Sequence, residues 1–258
     1  MIKLIISSVD DIFCHKRRWP ARLAKKIIMK AKSDVLAASR QKKISAPAPK
    51  SKGRHPTVRM PQAERRAQIL TKAYEFFSEY GLTAQTRALA DACGVSQRLL
   101  YSVFPNKAAL LSAVYETEIA GPFKAGWVVQ LKDRSKPVEQ RLTEFYHEYY
   151  DCILTRRWLR LFLYASLSEV TMAPAYIAGI VSHLLEMIVD EAAREAGLRS
   201  PEDPALTQEI GWILHGAVSH LAIRRHIYHD ATPLDAKNVV TLQVKSFLAG
   251  LGAILPAA

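Results

Sequence analysis

Four polar residues that differ in their hydrogen-bonding groups, Gln97, Arg98, Tyr101 and Ser102, are spaced i, i+1, i+4 and i+5 along the chain. On an α-helix this spacing places them on one side. An amide can bond adenine twice, a guanidinium can bond guanine twice, and hydroxyl groups can donate to phosphate oxygens. The residue types and their spacing therefore predict a helical face that binds duplex DNA.

The opposite side of the same helix is apolar. Leu100, Val103 and Phe104 lie at i, i+3 and i+4, a spacing typical of a face that packs on a core. Ser96 precedes the helix as a predicted N-cap, and Pro105 ends it because proline has no N–H to donate. We therefore expect one short helix with a buried apolar side and an exposed polar side.

A second short helix is predicted just before it, from Thr86 to Cys93. Leu89, Ala90 and Cys93 share one side of this helix. Gly94 is a natural stop, since glycine enters the left-handed conformation without a Cβ penalty. The pair of helices and their glycine turn form a helix-turn-helix. The N-cap of the first helix is left open between Thr83 and Thr86.

A third helix is predicted after Pro105. Asn106 is its expected N-cap, and Lys107 lies in its first turn. An ammonium group beside a free helix N-terminus can hold a DNA phosphate.

Taken in order and spacing, residues 62 to about 116 resemble the DNA-binding domain of the TetR family of bacterial transcription regulators. The stretches that carry the resemblance are Arg66–Phe77, Tyr80–Leu82, Thr86–Ala90, Gly94–Ser96, Leu100–Tyr101, Phe104 and Lys107–Leu110. The resemblance implies an all-α protein with an N-terminal three-helix helix-turn-helix domain and a larger helical domain for ligand binding and dimerisation. It implies a sequence-specific regulator, a repressor rather than an activator, that binds a palindromic operator as a homodimer and responds to an unknown small-molecule effector.

Roles in DNA binding follow for individual side chains. We expect Arg87, Gln97 and Arg98 to contact bases, and Leu99 to meet a thymine methyl group or a sugar edge. The residues expected to hold the DNA backbone are Thr86, Tyr101, Ser102 and Lys107. Many family members have smaller residues at the positions of Arg98 and Leu99, so the operator sequence does not follow from the resemblance.

Charge is distributed very unevenly along the chain. Up to Met60 there are 16 Lys and Arg against 3 Asp and Glu, whereas from Pro61 the counts are 20 and 21. We therefore divide the chain into a basic extension (1–60) without regular structure, a DNA-binding domain (61–118) and a helical domain (119–258). Residues 41–60 are basic and proline-rich, so they act either as an arm that follows DNA phosphates or as a solvated linker.

The first forty residues leave further alternatives open. The segment 19–29 can form a basic amphipathic helix that lies on a membrane surface. Equally, translation can begin at Met29 or Met60, so whether residues 1–59 belong to the native protein is left open. The apolar start is too short for a secretory signal, and no apolar run is expected to span a bilayer.

The remaining sequence predicts helices and no sheet, with helices over 137–154, 158–170, 174–196, 204–229 and 234–251. Small residues on the fourth of these and apolar residues on the last predict pairing with a second subunit. The candidate lining of an effector pocket comprises Trp127, Tyr146, Tyr150, Trp158, Phe162, Met172, Tyr176 and Trp212. The alternative for these aromatic residues is ordinary core packing.

Several classes of function are disfavoured. The chain has no Ser-His-Asp setting, no glycine-rich phosphate loop and no metal-ligand spacing, so we expect no enzyme, no cofactor and no metal site. His226 and His229 are spaced i, i+3 and can share a helix face, but no Cys or carboxylate cluster lies nearby. Three unpaired cysteines suit the reducing cytoplasm. The alternative to a specific regulator is an architectural DNA-binding protein of low specificity that uses mainly the basic arm.

Removing residues 1–59 tests the arm. If Lys50, Lys52, Arg54 and Arg59 follow phosphates, the truncated protein binds all DNA sequences more weakly, and its affinity falls less steeply with salt. Titrations of labelled duplex at several salt concentrations measure both effects. A salt slope equal to that of the full chain contradicts the arm and supports the linker.

Overall fold

Helices account for most of the residues that the structure describes. The computed structural model describes residues 60–168 and 172–258, and the side chain of Met172 lies outside this description. The helices are α1 (Gln62–Tyr80), α2 (Thr86–Ala92), α3 (Gln97–Val103), α4 (Lys107–Val114), α5 (Ala125–Leu131), α6 (Val138–Cys152), α7 (Arg156–Ser166), α8 (Met172–Tyr176), α9 (Ser182–Glu195), α10 (Pro204–His226) and α11 (Ala236–Gly250). These residues contain no β-strand, which confirms the all-α class. The basic arm and the helix predicted over 19–29 lie outside the described residues.

Two π-helical turns and a 3₁₀ turn extend the regular helices. The segment Tyr115–Ala120 continues α4, and Ile177–Val181 joins α8 to α9 without a break. A 3₁₀ turn over Leu251–Ala253 follows α11. An isolated antiparallel bridge pairs Leu198, which follows Gly197, with Ala257 near the C-terminus.

Most helix ends agree with their predicted signals. Asp203 and Asp235 cap α10 and α11 through their carboxylates, and Gly197 ends α9 with φ +66°. Several boundaries differ from the prediction, and the helix predicted over 158–170 runs from Arg156 to Ser166. The helix predicted to open at Pro174 begins at Met172, because proline fits the first turn, where N–H groups have no helical partner. The helix predicted to run to His229 ends at His226, and Arg225 then holds the carbonyls of Thr232 and Leu234.

The first four helices form a small unit around Phe77, which is fully buried. The remaining helices, α5 to α11, form the larger part of the structure, and α7 of this part lies against α1. The helix α7 is exposed at both of its ends. Arg156 and Arg157 begin it on an exposed side, and Leu167, just beyond its end, is 87% exposed.

Close packing of α9 on α10 explains one glycine that the sequence assigned to subunit pairing. A Cβ atom added to Gly211 would lie 2.6 Å from the Cβ of Leu185, which is closer than packed atoms allow. Ala222 is also fully buried. These two small residues therefore serve contacts inside the subunit. By contrast, Gly216 has open space beside it, with only Trp212 at 4.0 Å.

The helical stretch Ala173–Glu195 is long and apolar enough to cross a membrane by length and composition alone, with a mean hydropathy of 1.2. The expectation that no apolar run reaches this length is therefore wrong. Leu185, Ile188 and Val189 of this stretch are fully buried in the core. Buried core helices pass the same test of length and composition, so this stretch is weak evidence for a membrane.

One buried arginine joins three segments of the larger part. The Arg141 side chain is 2% exposed and forms ion pairs of 3.0 Å with both Glu191 and Glu195 of α9. It also donates to the carbonyls of Leu131 and Lys136. A buried guanidinium is stable only when its donors are satisfied, so these partners fix α5, α6 and α9 relative to one another.

Replacing Arg141 with methionine should therefore destabilise the protein by about 3–5 kcal/mol, because Glu191 would keep its burial and lose one counter-charge. Urea unfolding at fixed protein concentration measures this loss. The exposed pair of Lys72 and Glu75 supplies the control. Lys72→Met should change the free energy of unfolding by less than about 1 kcal/mol. Equal losses in the two variants would contradict the role of Arg141.

The ion pair of Arg141 and Glu191 predicts that the stability of the fold depends on pH. Hydrogen bonding first to Arg134, and then to Arg141, lowers the pKa of Glu191 below its ordinary value of 4.5. A lowered pKa in the folded state stabilises the fold above the ordinary pKa, and this stabilisation disappears as the pH falls through the lowered value. Arg141→Met should therefore show a smaller loss of stability on acidification below pH 4.5 than the wild type.

Candidate nucleic-acid interface

The recognition helix α3 has the two faces that the sequence predicted. The Ser96 hydroxyl accepts a hydrogen bond of 3.2 Å from the Leu99 N–H and caps the helix. Leu100 and Phe104 are each 2% exposed and belong to the apolar core. On the other side four polar residues are exposed to solvent: Gln97, Arg98, Tyr101 and Ser102. The segment therefore presents an amide, a guanidinium, a phenol and a hydroxyl outward from a fixed base.

The turn before α3 is set by a glycine. Gly94 has φ +66°, and the N–H of Val95 donates to the carbonyl of Ala90 at 3.0 Å. A residue with a Cβ atom would be strained at this φ. Because the turn is tight, α2 and α3 pack on the same apolar core.

Cys93 at the end of α2 is a buried packing residue. It is 3% exposed, and its thiol lies 3.9 Å from the carbonyl of Ile69. Burial raises the pKa of this thiol to about 11, so it is protonated at neutral pH. A protonated, enclosed thiol reacts poorly, which favours a structural role for Cys93.

The two residues of α2 expected at DNA differ in their surroundings. Arg87 is exposed, whereas Thr86 is half-buried at the start of the helix. The residue in the N-cap position is Gln85, and it makes no side-chain capping bond. The two alternatives for this cap, Thr83 and Thr86, are therefore both wrong, because the helix begins with Thr86 itself.

Lys107 is already engaged in the free protein. Its Nζ donates to the carbonyl of Ala84 at 2.9 Å and lies 6.0 Å from the centre of the Phe77 ring. The Asn106 side chain accepts from the Ala109 N–H at 2.8 Å and caps α4 as predicted. An ammonium group has three protons, so Lys107 retains donors for a phosphate while it ties α4 to the loop before α2.

Two further side chains of α3 have geometry that the sequence did not show. The Ser102 hydroxyl donates to the carbonyl of Leu99 at 2.8 Å, so in the free protein its proton is used inside the helix. Its lone pairs remain, but a donated bond to phosphate requires rotation of the hydroxyl. Leu99 is half-buried, which leaves part of its side chain accessible.

Sequence reasoning missed one cation beside the recognition helix. The guanidinium of Arg66, on α1, lies 4.4 Å from the centre of the Phe104 ring. A cation over an aromatic face is held there by the ring quadrupole. The position of Arg66 depends on how α1 crosses the end of α3, and the sequence contains no signal for that crossing.

Three of the eight residues proposed for an effector pocket are aromatic side chains in contact with one another. Trp158 stacks on Phe162 with ring centres 4.7 Å apart, and Tyr176 meets both rings edge-on. Trp127 packs against Tyr149, a residue that the sequence did not single out. This group extends through a hydrogen bond of 3.2 Å between the hydroxyls of Tyr149 and Tyr176.

A buried histidine joins a second part of this group. The Nδ1 of His215 lies 3.4 Å from the Tyr146 hydroxyl, and Trp212 packs on the same imidazole. Burial lowers the pKa of His215 to about 4, so the ring is neutral at neutral pH. Tyr150 lies apart from this group and contacts His226. Met172, the eighth candidate, has a side chain outside the description.

The histidines of α10 do not converge on a metal site within the described part of the chain. No group of three or more His, Cys, Asp or Glu side chains is arranged there to hold a metal ion. His226 is half-buried beside Tyr150, and its pKa is lowered by burial.

Comparisons with known proteins identify the DNA-binding segment. Residues 69–114 match the family model described as bacterial regulatory proteins, tetR family. This match covers α2, α3 and α4 together with most of α1. We found no match to the chain among curated proteins.

Solved structures share the fold over about three quarters of the chain. A putative TetR-family transcriptional regulator from Mesorhizobium loti is 14% identical, with a TM-score of 0.56, and the match covers 77% of this chain and 100% of that one. A TetR-like transcriptional regulator from Rhodococcus sp. RHA1 is 18% identical, with a TM-score of 0.58, over 74% of this chain and 100% of that one. SmeT, the repressor of the Stenotrophomonas maltophilia multidrug efflux pump SmeDEF, is 20% identical, with a TM-score of 0.53, over 75% and 94%.

The match of the segment around the helix-turn-helix and the shared fold of the remaining helices point to the same relationship. Residues 69–114 are thus similar to the helix-turn-helix segment of the tetR family of bacterial regulatory proteins, and the described helices share the fold of solved TetR-family regulators.

Proposed function

We propose that the protein is a repressor that binds a palindromic operator as a homodimer and leaves it when a small molecule binds the larger helical part. The observation that carries this proposal is the recognition helix. Its apolar side is anchored by Leu100 and Phe104, and its polar side, which includes Gln97 and Arg98, is exposed. A short helix held in this way can enter the major groove and present side chains to base edges.

The repressor is distinguished from an architectural DNA-binding protein by specificity. A repressor should prefer its operator by roughly a thousandfold or more over random DNA, whereas an architectural protein shows little preference. An exposed face that carries Gln97 and Arg98 supports the specific regulator, since both side chains can make paired bonds to a base.

Proteins of the TetR family are regulators and not enzymes, and we place this one in the cytoplasm, where its DNA lies.

An unpaired apolar surface on α10 and α11 supports the homodimer. Ile213 is 52% exposed and Leu242 is 61% exposed, although both lie on helices whose other sides are in the core. Gly216 and Ala217 beside them are partly exposed and leave room for a close helix approach. A palindrome needs two recognition helices about one DNA turn apart, which a symmetric pair of subunits provides.

The effector site that we propose is the aromatic group around Trp158, Phe162 and Tyr176. These rings contact each other now, so an apolar effector would have to displace or separate them. A ligand that binds more tightly to the dimer when the spacing of its DNA-binding units does not fit the operator would increase the population of that state. The operator would then be released.

Changing Gln97 tests direct contact with bases. On an operator selected from random DNA, Gln97→Ala should lose about 1–3 kcal/mol of binding free energy and tolerate base changes at the contacted position. Lys107→Met should instead weaken all sequences alike, because a phosphate contact carries no sequence information. Gln68→Ala, an exposed glutamine on α1, is the control. Fluorescence anisotropy with operator and scrambled duplexes gives both quantities.

Two outcomes separate the alternatives. Unchanged affinity and unchanged base preference in Gln97→Ala would show that this side chain does not contact a base. If the wild-type protein binds scrambled and selected duplexes within a few-fold of each other, the architectural alternative is correct.

Introducing charge on the exposed apolar surface tests the homodimer. Ile213→Asp combined with Leu242→Asp should yield a monomer, because a carboxylate buried between subunits has no counter-charge. Sedimentation equilibrium measures the mass, and operator affinity should fall in parallel. Val129→Asp is the matched control, since Val129 is a 72% exposed apolar residue on α5. A doubly substituted protein that remains a dimer would place the interface elsewhere.

A further inference from the structure

The C-terminal end of α1 lacks a positive charge of its own. Its last turn contains no basic residue, and it contains the acidic Glu79. The end of a helix carries a partial negative charge and leaves carbonyl groups without helical partners. A further carboxylate at this position is unfavourable, so α1 requires a cation from another part of the protein.

Arg160 on α7 supplies that cation. Its Nε donates to the carbonyl of Ser78 at 2.6 Å, and its Nη2 donates to the carbonyl of Glu79 at 2.7 Å. The same Nη2 lies 3.6 Å from the Glu79 carboxylate. Charged hydrogen bonds to two successive carbonyls use the planar fork of the guanidinium, which a lysine ammonium cannot reproduce.

Tyr164, one turn further along α7, completes the contact. Its hydroxyl accepts a hydrogen bond of 3.1 Å from Arg160, and its ring lies against Gly81, where an added Cβ atom would be 3.5 Å away. Gly81 ends α1 with φ +78°. The Arg160 side chain is 22% exposed, so solvent screens its bonds less than those of a fully exposed arginine.

Neighbouring arginines make weaker contacts with the same helix. Arg156 pairs with Glu79 at 3.5 Å and Arg157 with Glu75 at 3.6 Å, and all four side chains are about one-third to one-half exposed. Exposed pairs of this kind contribute little to stability. They reach side-chain carboxylates, whereas Arg160 reaches the backbone of α1 itself.

The end of α1 is the point where α7 holds the DNA-binding unit. On one side, α1 packs against α2 and α4, and Lys107 ties α4 to the loop between α1 and α2. On the other side, α7 packs against α8 and α10 of the larger part, and its Trp158 meets Tyr176 of α8 edge-on. The Trp158 indole N–H also donates to the carbonyl of Ile119 at 3.3 Å. The angle between α7 and α1 therefore sets where the recognition helix points.

We propose that Arg160 is a positioning residue for DNA binding, which caps α1 from α7 and thereby fixes the separation of the two recognition helices in the dimer. This inference rests on the proposed function, since it requires a palindromic operator. In this role Arg160 acts through α1 and needs no contact with DNA. Its loss should therefore leave the contacts within each half-site unchanged and relax the requirement for their spacing.

The experiment compares Arg160→Gln with the wild type on the selected operator and on duplexes that carry one or two extra base pairs between the half-sites. We define the spacing ratio as the Kd for a lengthened duplex divided by the Kd for the native operator. We expect this ratio to be at least fivefold lower in Arg160→Gln than in the wild type. The loss of affinity on changing one base pair in each half-site should remain within twofold of the wild type. Arg156→Gln is the matched control, and its spacing ratio should equal that of the wild type.

Two additional measurements guard against a folding defect. Arg160→Lys keeps the charge without the fork, and its spacing ratio should lie between those of the wild type and Arg160→Gln. Hydrogen exchange without DNA should be at least tenfold faster for the amide of Gly81, which donates to the carbonyl of Phe77, in Arg160→Gln but not in Arg156→Gln.

The results that overturn the proposal are specific. Arg160 does not position the DNA-binding unit if Arg160→Lys and folded Arg160→Gln both keep the wild-type spacing ratio. The same conclusion follows if Arg156→Gln lowers this ratio as much as Arg160→Gln does. If the penalty for a base change falls together with the spacing ratio, the defect lies within the unit. A wild-type protein that shows no preference for a palindrome overturns the proposed function, and this inference with it.

Discussion

Burial of the apolar side of one seven-residue helix is the constraint on which the remaining structure depends. A helix as short as α3 is unstable alone, so its shape comes from the packing of Leu100 and Phe104 into the core of α1, α2 and α4. Because that side is fixed, the side that carries Gln97 and Arg98 must face solvent. Because these two side chains are exposed at a defined angle, the DNA-binding unit can present them to base edges.

Backbone carbonyls and buried charges then determine how the parts are joined. Within the DNA-binding unit, Lys107 holds the carbonyl of Ala84. Between this unit and the larger part, Arg160 holds the carbonyls at the end of α1. Inside the larger part, Arg141 holds α5, α6 and α9 through its carbonyl and carboxylate partners. In each case a cation bonds to acceptors on a segment far away in the sequence. These bonds fix the relative positions of the segments, which apolar packing alone does not fix.

Local signals predicted the DNA-binding unit well. The Ser96 cap, the left-handed Gly94 and the buried Leu89 and Ala90 all appear where the sequence placed them. Such signals act within one or two helical turns, so the chain reveals them without its fold. The cap of α2 was missed because Gln85, which occupies that position, uses no side-chain bond. The candidate effector site was less predictable, since aromatic residues in a core and in a pocket have the same periodicity.

Residue spacing and local backbone preference are enough to establish the helical class, the helix-turn-helix and the side of α3 that faces outward. The contacts between distant segments follow from the folded structure. It placed Gly211 against Leu185 inside the subunit, and it placed Arg160 at the end of α1. These contacts depend on how helices cross, and crossing angles are set by packing between distant segments, for which a single sequence contains no local signal.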